Sequence, residues 1–405
     1  MRRRWLTILF CLPLGAARDY TRDIRPILER RCTGCHSATA TMGSLNLETM
    51  EGLMKGGNNG PVMVSGKSQE STMYLSLVGK RPDIGRMPFS NEPMPDEEIE
   101  TIREWIDEGA PAGETQKPRQ IYSLAWRPDG KAIALGGYTD VRLMDGSGNA
   151  GTAKLTGHAD AVRSLAWSPN GQVLAAAGGV PGRKGEVKLW KADGTLAATI
   201  SGHADCIYSV AISPDGKTVA TASYDKLIKL WDAELGKELR TLKDHIDAIY
   251  SIGFTPDGKR LVSGAADRSI KVWLVETGER LFTMSEPTDG VNTIAVSPDG
   301  KHVAAAGQDK TIRVWKLEDK GATLEASMIA HEDAILKILW SRDGKTLLSS
   351  SADRSLKLFR AGDLAELKMV GKQPDWAYAV EYSPDGAKVA LGRMDGSFVI
   401  TEVKP

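Results

Sequence analysis

From about residue 120 onward, apolar and polar positions alternate in short runs, and each pair of runs flanks the same four-residue turn. That turn reads RPDG at 127, SPNG at 168, SPDG at 213, TPDG at 255, SPDG at 297, SRDG at 341 and SPDG at 383. The spacings are 41, 45, 42, 42, 44 and 42 residues. Proline presets φ and glycine accepts positive φ, so Pro-Asp/Asn-Gly suits a tight turn. A run such as IYSVAIS before it and KTVATAS after it predicts a hairpin. A third strand follows (KLIKLWD, SIKVWL, TIRVWK) and a fourth precedes the next unit. Seven four-stranded units that close on themselves predict a β-propeller. The last unit stops at its third strand, SFVITEVKP, and the segment before the first, APAGETQKPRQ, carries two prolines and few β-formers. An imperfect outer edge is therefore expected on the last blade.

The first hundred residues have a different period. Ile24, Ile27 and Leu28 recur at i, i+3 and i+4, which predicts a helix entering RRCTGCHSA at 30–38. Met50 and Met54, four apart in LETMEGLMKGG, predict a short helix with both side chains in the core. PDEEIETIREWIDEGAP predicts a longer one, with Asp96 as N-cap, Glu97 and Glu98 in the first turn, and Gly109 as C-cap. Ile99, Ile102 and Ile106 form its buried stripe. The fold class expected is multidomain: a small all-α domain followed by an all-β seven-bladed propeller. Its divisions are 1–17, 18–113, a short linker at 114–119, and 120–405.

Residues 1–17 read as an export signal. Arg2, Arg3 and Arg4 precede ten mostly apolar residues, Trp5 to Leu14, and Gly15-Ala16-Ala17 suits cleavage. Ten helical residues span about 15 Å, roughly half a bilayer core, so no permanent membrane span is expected. The expected location is exported, periplasmic or cell-surface in a bacterium. Among 405 residues, Lys plus Arg and Asp plus Glu both total 52, so the charge balance gives no pull toward nucleic acid. Of four cysteines, Cys11 lies in the signal and Cys206 precedes a strand-like run, where a buried, inert thiol is expected. Only Cys32 and Cys35 form a close pair, so no disulfide framework is expected.

Cys32-Thr33-Gly34-Cys35-His36 admits three chemistries. Structural zinc needs about four ligands, and between residues 18 and 117 the cluster holds the only cysteines and histidine. A redox dithiol sits in a βαβ unit, whereas a helix precedes Cys32. Covalent attachment of a c-type haem fits best: two thiols at i and i+3 can add to its two vinyl groups, and His36 follows as proximal iron ligand. The export signal agrees with it. A second axial ligand would be a methionine, whose soft sulfur raises the potential. Met87, in the loop IGRMPFSNEPMPDEEI and stiffened by Pro88, is the first candidate, and Met94 is the runner-up.

Residues 19–112 resemble the planctomycete-type cytochrome c domain. The likeness rests on DIRPILERRCTGCH, on GSLNLETMEGLMKGGNNGPVMVSGKSQESTMYLSLV, and on a Met-Pro loop followed by the pattern PxxEIxxIRxWIDxGAP. It implies one haem with His36 and a Met-Pro methionine as axial ligands, which maps onto Met87, although Phe89 stands where the family often has a second proline. Residues 120–405 resemble the WD40 family, through Gly-His and Trp-Asp punctuation. That likeness implies a structural hydrogen-bond chain of His, Ser/Thr, Asp and Trp. His203, Thr221, Asp225 and Trp231 match it, as do His245, Ser263, Asp267 and Trp273. His331, Ser349 and Asp353 match with Phe359 for the Trp; the unit near 298 keeps Asp309 and Trp315 but has Ala305 and no His. The unit at 168 keeps His158 and Trp190 but replaces the Asp turn with GGVPGRKGE.

Because these histidines recur with each unit, they read as scaffold rather than as catalytic triads or metal ligands. His302 falls outside the pattern and reads as an exposed strand residue. The function expected is electron transfer through one covalent His/Met haem c, more carrier than enzyme. The propeller would serve as a protein-interaction platform for an unknown redox partner, its partner docking on loops such as GGVPGRKGE at 178–186. Two alternatives stand beside it: an oxidoreductase with its active site in the propeller funnel, and a haem-based redox or gas sensor. No His or Cys near the axis breaks the blade pattern in favour of the first alternative.

Overall fold

The computed structural model describes residues 18, 20–37, 42–48, 50–58, 60–89, 93–110 and 120–403. The export signal at 1–17 and the linker at 114–119 lie outside the described residues. Contacts divide the chain into two units, one reaching Lys117 and the other starting at Pro118.

The described part of the first unit holds four short α-helices in irregular chain: α1 (Arg25–Arg31), α2 (Met50–Lys55), α3 (Thr72–Leu77) and α4 (Asp96–Asp107). A π-helical turn, Tyr20–Ile24, leads into α1. Its core gathers Ile24, Ile27 and Leu28 from the entry helix and Ile99, Ile102, Trp105 and Ile106 from α4. The predicted stripes thus face one another, and Tyr20 lies 5.7 Å from Trp105, ring to ring. Two details differ from expectation. Pro95, extended at φ −56° and ψ 140°, takes the N-cap position, so Asp96 is already helical and makes no capping bond. Met50 packs against the core but Met54 is 52% exposed, because α2 lasts less than two turns and offers one buried face.

The second unit is a seven-bladed β-propeller. Six sheets have four antiparallel strands in sequential order, and the seventh, Ala379–Tyr382, Lys388–Gly392 and Phe398–Glu402, has three. Blades are numbered here from the sheet that begins at Ser123–Trp126. Among the described residues the last blade therefore lacks an outer strand, as expected. Among the described residues blades 7 and 1 share no strand and meet through side chains: Ile121, Leu124 and Trp126 pack with Ala379 and Ala390. Two polar links add to this, Ile121 N–H to Arg393 O (3.1 Å) and Trp126 N–H to Glu381 Oε2 (2.9 Å).

GGVPGRKGE is not an irregular loop. Strands Val173–Val180 and Lys184–Lys191 extend through it with Gly179 opposite Gly185 and Val180 opposite Lys184, leaving only Pro181, Gly182 and Arg183 at the tip. Glycines at 178, 179 and 185 permit this, since a Cβ on each would meet backbone atoms within 2.5 Å.

Candidate functional site

The turn that carries the cysteine cluster is a direct continuation of α1. Cys32 N–H donates to Leu28 O at 2.8 Å, and Cys35 N–H and His36 N–H both donate to Cys32 O, at 3.1 and 3.0 Å. This winding holds the two thiols one turn apart, and neither is oxidised to a disulfide. Cys32 packs against the core while Cys35 is exposed. Burial, followed by the neighbouring Cys35 and Glu98, pushes the Cys32 thiol up to about 11, so it holds its proton at neutral pH. Arg30 and Arg31, at the end of α1, both pair with Glu98 of α4, at 3.2 and 3.0 Å, and pin this turn to the longest helix of the unit.

His36 Nδ1 lies 2.9 Å from Met42 O. A carbonyl only accepts, so the ring donates from Nδ1 and presents its lone pair at Nε2. Nε2 has no partner among the described residues. His36 O in turn accepts from Leu47 N–H at 2.8 Å, which fixes the backbone beyond it.

Both methionines singled out from the sequence belong to the same apolar cluster. Met94 is enclosed within it at 2% exposure, whereas Met87 packs against its edge and keeps part of its surface open. Met87 is positioned by its own N–H, which donates to Ser76 O at 3.1 Å. The structure thus brings Cys32, Met87 and Met94 onto one core. No group of three or more His, Cys, Asp or Glu among the described residues makes a metal site.

The propeller histidines are in a different condition. His203 Nδ1 meets Asp225 Oδ2 at 2.8 Å and Nε2 meets Thr221 Oγ1 at 2.8 Å; Trp231 Nε1 donates to the same hydroxyl at 2.8 Å. Trp is donor only and carboxylate acceptor only, so the protons run Trp to Thr to His to Asp. His245 repeats this with Asp267 (2.7 Å), Ser263 (2.7 Å) and Trp273 (2.9 Å). His331 keeps Asp353 and Ser349 at 3.0 and 2.7 Å, with Phe359 against its ring. In blade 5, Arg313 replaces the histidine as partner of Asp309, at 2.6 Å. His302 is half-buried rather than exposed, with Nε2 3.3 Å from Glu325.

His158 keeps the position and loses the partners. Both its ring nitrogens and Trp190 Nε1 are buried without a hydrogen bond among the described residues. Ala176 occupies the hydroxyl position: it pairs with Leu165 and Lys188 as Thr221 pairs with Val210 and Lys229. Glu186, brought inward by the hairpin register, takes over one task of the missing Asp by accepting from Ala159 N–H at 3.0 Å. Its carboxylate stays 3.7 Å from His158 Nδ1. Burial lowers the His158 imidazole to about 4.

The propeller axis holds a feature that repeat counting missed. A hydroxyl in the innermost strand of blades 1 to 5 ties each blade to the next. Ser123 Oγ donates to Val162 O; Ser164, Ser209, Ser251 and Thr293 accept from Val210, Ile252, Ile294 and Ile338 N–H, all within 2.7–3.2 Å. Blade 6 has Lys337 at this position and blade 7 has Ala379. Two residues further along, where blades 1 to 3 and 5 have alanine, blade 7 has Glu381. Burial lowers the Lys337 ammonium and raises the Glu381 carboxyl to about 7. Aligning the seven inner strands would have exposed both departures; a search for His and Cys did not.

One residue before the hydroxyl position, the side chains at the axis are Tyr122, Tyr208, Tyr250 and Tyr378, with Arg163, Asn292 and Leu336 in the other blades. They line a cavity of about 350 Å³ whose lining also includes Lys337.

Comparison with known families agrees with both halves of this description. Residues 32–89 match the planctomycete cytochrome C family, a span that includes the cysteine cluster and Met87 and stops before Met94. Five segments, 151–191, 194–232, 236–273, 278–316 and 322–360, match the WD domain, G-beta repeat. The first and seventh blades extend beyond those segments and are seen in the sheet topology. No curated protein matches the chain. The first unit thus carries a stretch similar to the planctomycete cytochrome C family, and the second is a seven-bladed β-propeller with five WD40 repeats.

Proposed function

We propose that this chain is an exported electron carrier with one covalently attached haem c, docked to its partner through the propeller. The observation that carries the reading is the state of His36: Nδ1 is bonded to Met42 O, Nε2 has no partner among the described residues, and the preceding Cys32 and Cys35 are free. The donor set fits the group. Cys32 and Cys35 would form its thioether links, His36 would be the proximal ligand, and a thioether sulfur would complete the iron. Met87 suits that place better than Met94, since it lies at the edge of the core. Haem supplies a one-electron couple, tuned by its axial ligands and by burial.

The residues of the chain do the rest. The Cys32 O bonds set the pitch between thiols, Met42 O fixes the imidazole ring, and the Glu98 pairs hold the turn against α4. WD40 propellers serve as platforms for protein partners, and here His203, His245 and His331 are spent on scaffold bonds while His158 is left buried. Periplasmic or cell-surface location belongs to the same proposal, because the linkage is assembled outside the cytoplasm and residues 1–17 read as an export signal. Among the described residues no helix is long and apolar enough to cross a membrane.

Absorption spectra of the purified protein, with a pyridine haemochrome count, test the reading. One haem per chain is expected, surviving denaturation in wild type and absent from Cys32→Ser/Cys35→Ser. The red charge-transfer band of ferric iron bound to a thioether is expected to vanish in Met87→Ala and persist in Met94→Leu. A high-spin ferric spectrum in wild type would overturn the His/Met assignment.

A further inference from the structure

Two basic side chains line the axial cavity without a hydrogen bond or ion pair among the described residues. Arg163 makes no hydrogen bond or ion pair among the described residues; its Nε is buried without a partner, and its guanidinium lies over the Tyr208 ring, 5.0 Å from the centroid. Lys337 Nζ likewise has neither, although it stands where five other blades place an interblade hydroxyl. An unpaired buried charge is costly, and proteins ordinarily pair it or remove it. Replacing that hydroxyl by lysine also gives up a bond that blades 1 to 5 keep. The one carboxylate close to Lys337, Glu381, accepts from Trp126 N–H and lines the neighbouring cavity instead, together with Arg342.

We propose that this cavity is a binding site for a small anion with a carboxylate or phosphate head group, held between Arg163 and Lys337. The surroundings suit such a ligand. Tyr208, Tyr250 and Tyr378 line it with hydroxyl-bearing side chains, whereas the Tyr122 hydroxyl already donates to Gln120 Oε1 and Asn292 Nδ2 to Ile335 O; Leu336 adds an apolar wall. Gln308 and Tyr378, both exposed, stand at the rim and leave an entrance. A volume of about 350 Å³ is at the low end for ligand pockets and equals that of about a dozen waters. It suits a free small molecule rather than a folded partner. Guanidinium and ammonium differ in kind: Arg163 offers a planar fork for two oxygens and Lys337 a point charge. Together they favour a ligand carrying at least one full negative charge.

Isothermal titration of the full-length protein with citrate and with inorganic phosphate tests this, and the arm that binds identifies the head group. Saturable 1:1 binding tighter than about 1 mM is expected from at least one of them. Lys337→Thr should weaken it at least tenfold, about 1.4 kcal/mol. That variant restores the hydroxyl that blades 1 to 5 carry, so its melting temperature is expected to equal or exceed wild type. Arg163→Gln should weaken binding similarly. Failure of both anions to bind wild type would overturn the proposal. So would unchanged affinity in Lys337→Thr and Arg163→Gln. Neither result bears on the haem spectrum.

Discussion

His36 and His245 are each held at Nδ1 by an oxygen at hydrogen-bond distance, 2.9 Å for the Met42 carbonyl and 2.7 Å for Asp267. They differ at the other nitrogen. In His245 it meets Ser263 at 2.7 Å, and a tryptophan closes the chain; in His36 it has no partner among the described residues. The residue type is the same, and what separates scaffold from candidate ligand is whether a ring nitrogen is left over. His158 is a third case, buried with both nitrogens unused. A histidine free on both sides is therefore no stronger a candidate than one used on both; position in the blade explains it.

The largest effect is expected from breaking a complete chain. Asp267→Ala removes the acceptor of His245 and of Ile246 N–H, and leaves a buried imidazole without its partner. Losing a hydrogen bond to a buried charged group leads to an expected cost of about 2–3 kcal/mol. The matching change in blade 2, His158→Phe, removes no hydrogen bond and is expected to cost less than about 1 kcal/mol. Calorimetric melting of the propeller transition compares them. Equal losses would mean that the bonds around His245 contribute nothing beyond packing.

Acid separates the two kinds of histidine next. The folded protein holds the His158 imidazole near 4, below the ordinary 6.5 or so that it regains on unfolding. Between those values the unfolded chain binds the extra proton, so this contribution is complete above about pH 6.5 and is lost as the pH falls toward 4. Burial lowers His331 too, in the same direction. Asp353, held down to about 2 by Ser355 and by the Glu332 N–H against the opposing effect of burial, loses its share only below about pH 4. His158→Phe should therefore flatten the stability profile between pH 6.5 and 4 by up to about 3 kcal/mol. Denaturant melts at three pH values check it, and an unchanged slope would show that His158 reaches solvent in the folded state.

What could be read from the chain was whatever is local. The Pro-Asp-Gly turn sets each hairpin within a few residues, so seven blades and a short last one followed from counting. Cys32, Cys35 and His36 are contiguous, and their chemistry was visible as a cluster. What escaped depends on register or on the ring. Glu186 reaches Ala159 only because Gly178, Gly179 and Gly185 let two strands continue through an apparent loop. Lys337 and Glu381 lie 44 positions apart and become neighbours only across adjacent blades. The helix cap moved by one residue because Pro95 is extended and leaves Asp96 inside the helix.

The smallest effect is also the most specific to the comparison, because it would turn His158 into a member of the majority. Ala176 is fully buried and occupies the strand position of Thr221, with Trp190 and His158 placed as Trp231 and His203 are. A serine hydroxyl at 176 would accept from Trp190 Nε1 and donate to His158 Nε2, two atoms that now lack partners. Satisfying buried polar groups is worth about 1 kcal/mol each at most, and the added oxygen needs some room, so Ala176→Ser should stabilise the propeller by about 1 kcal/mol. A double-mutant cycle with His158→Phe isolates the cause, since the gain should shrink once the imidazole is gone. If Ala176→Ser changes stability equally in both backgrounds, the hydroxyl is not what blade 2 lacks. His158 Nδ1 would stay unpaired in either case, because Glu186 remains 3.7 Å away and is already committed to Ala159.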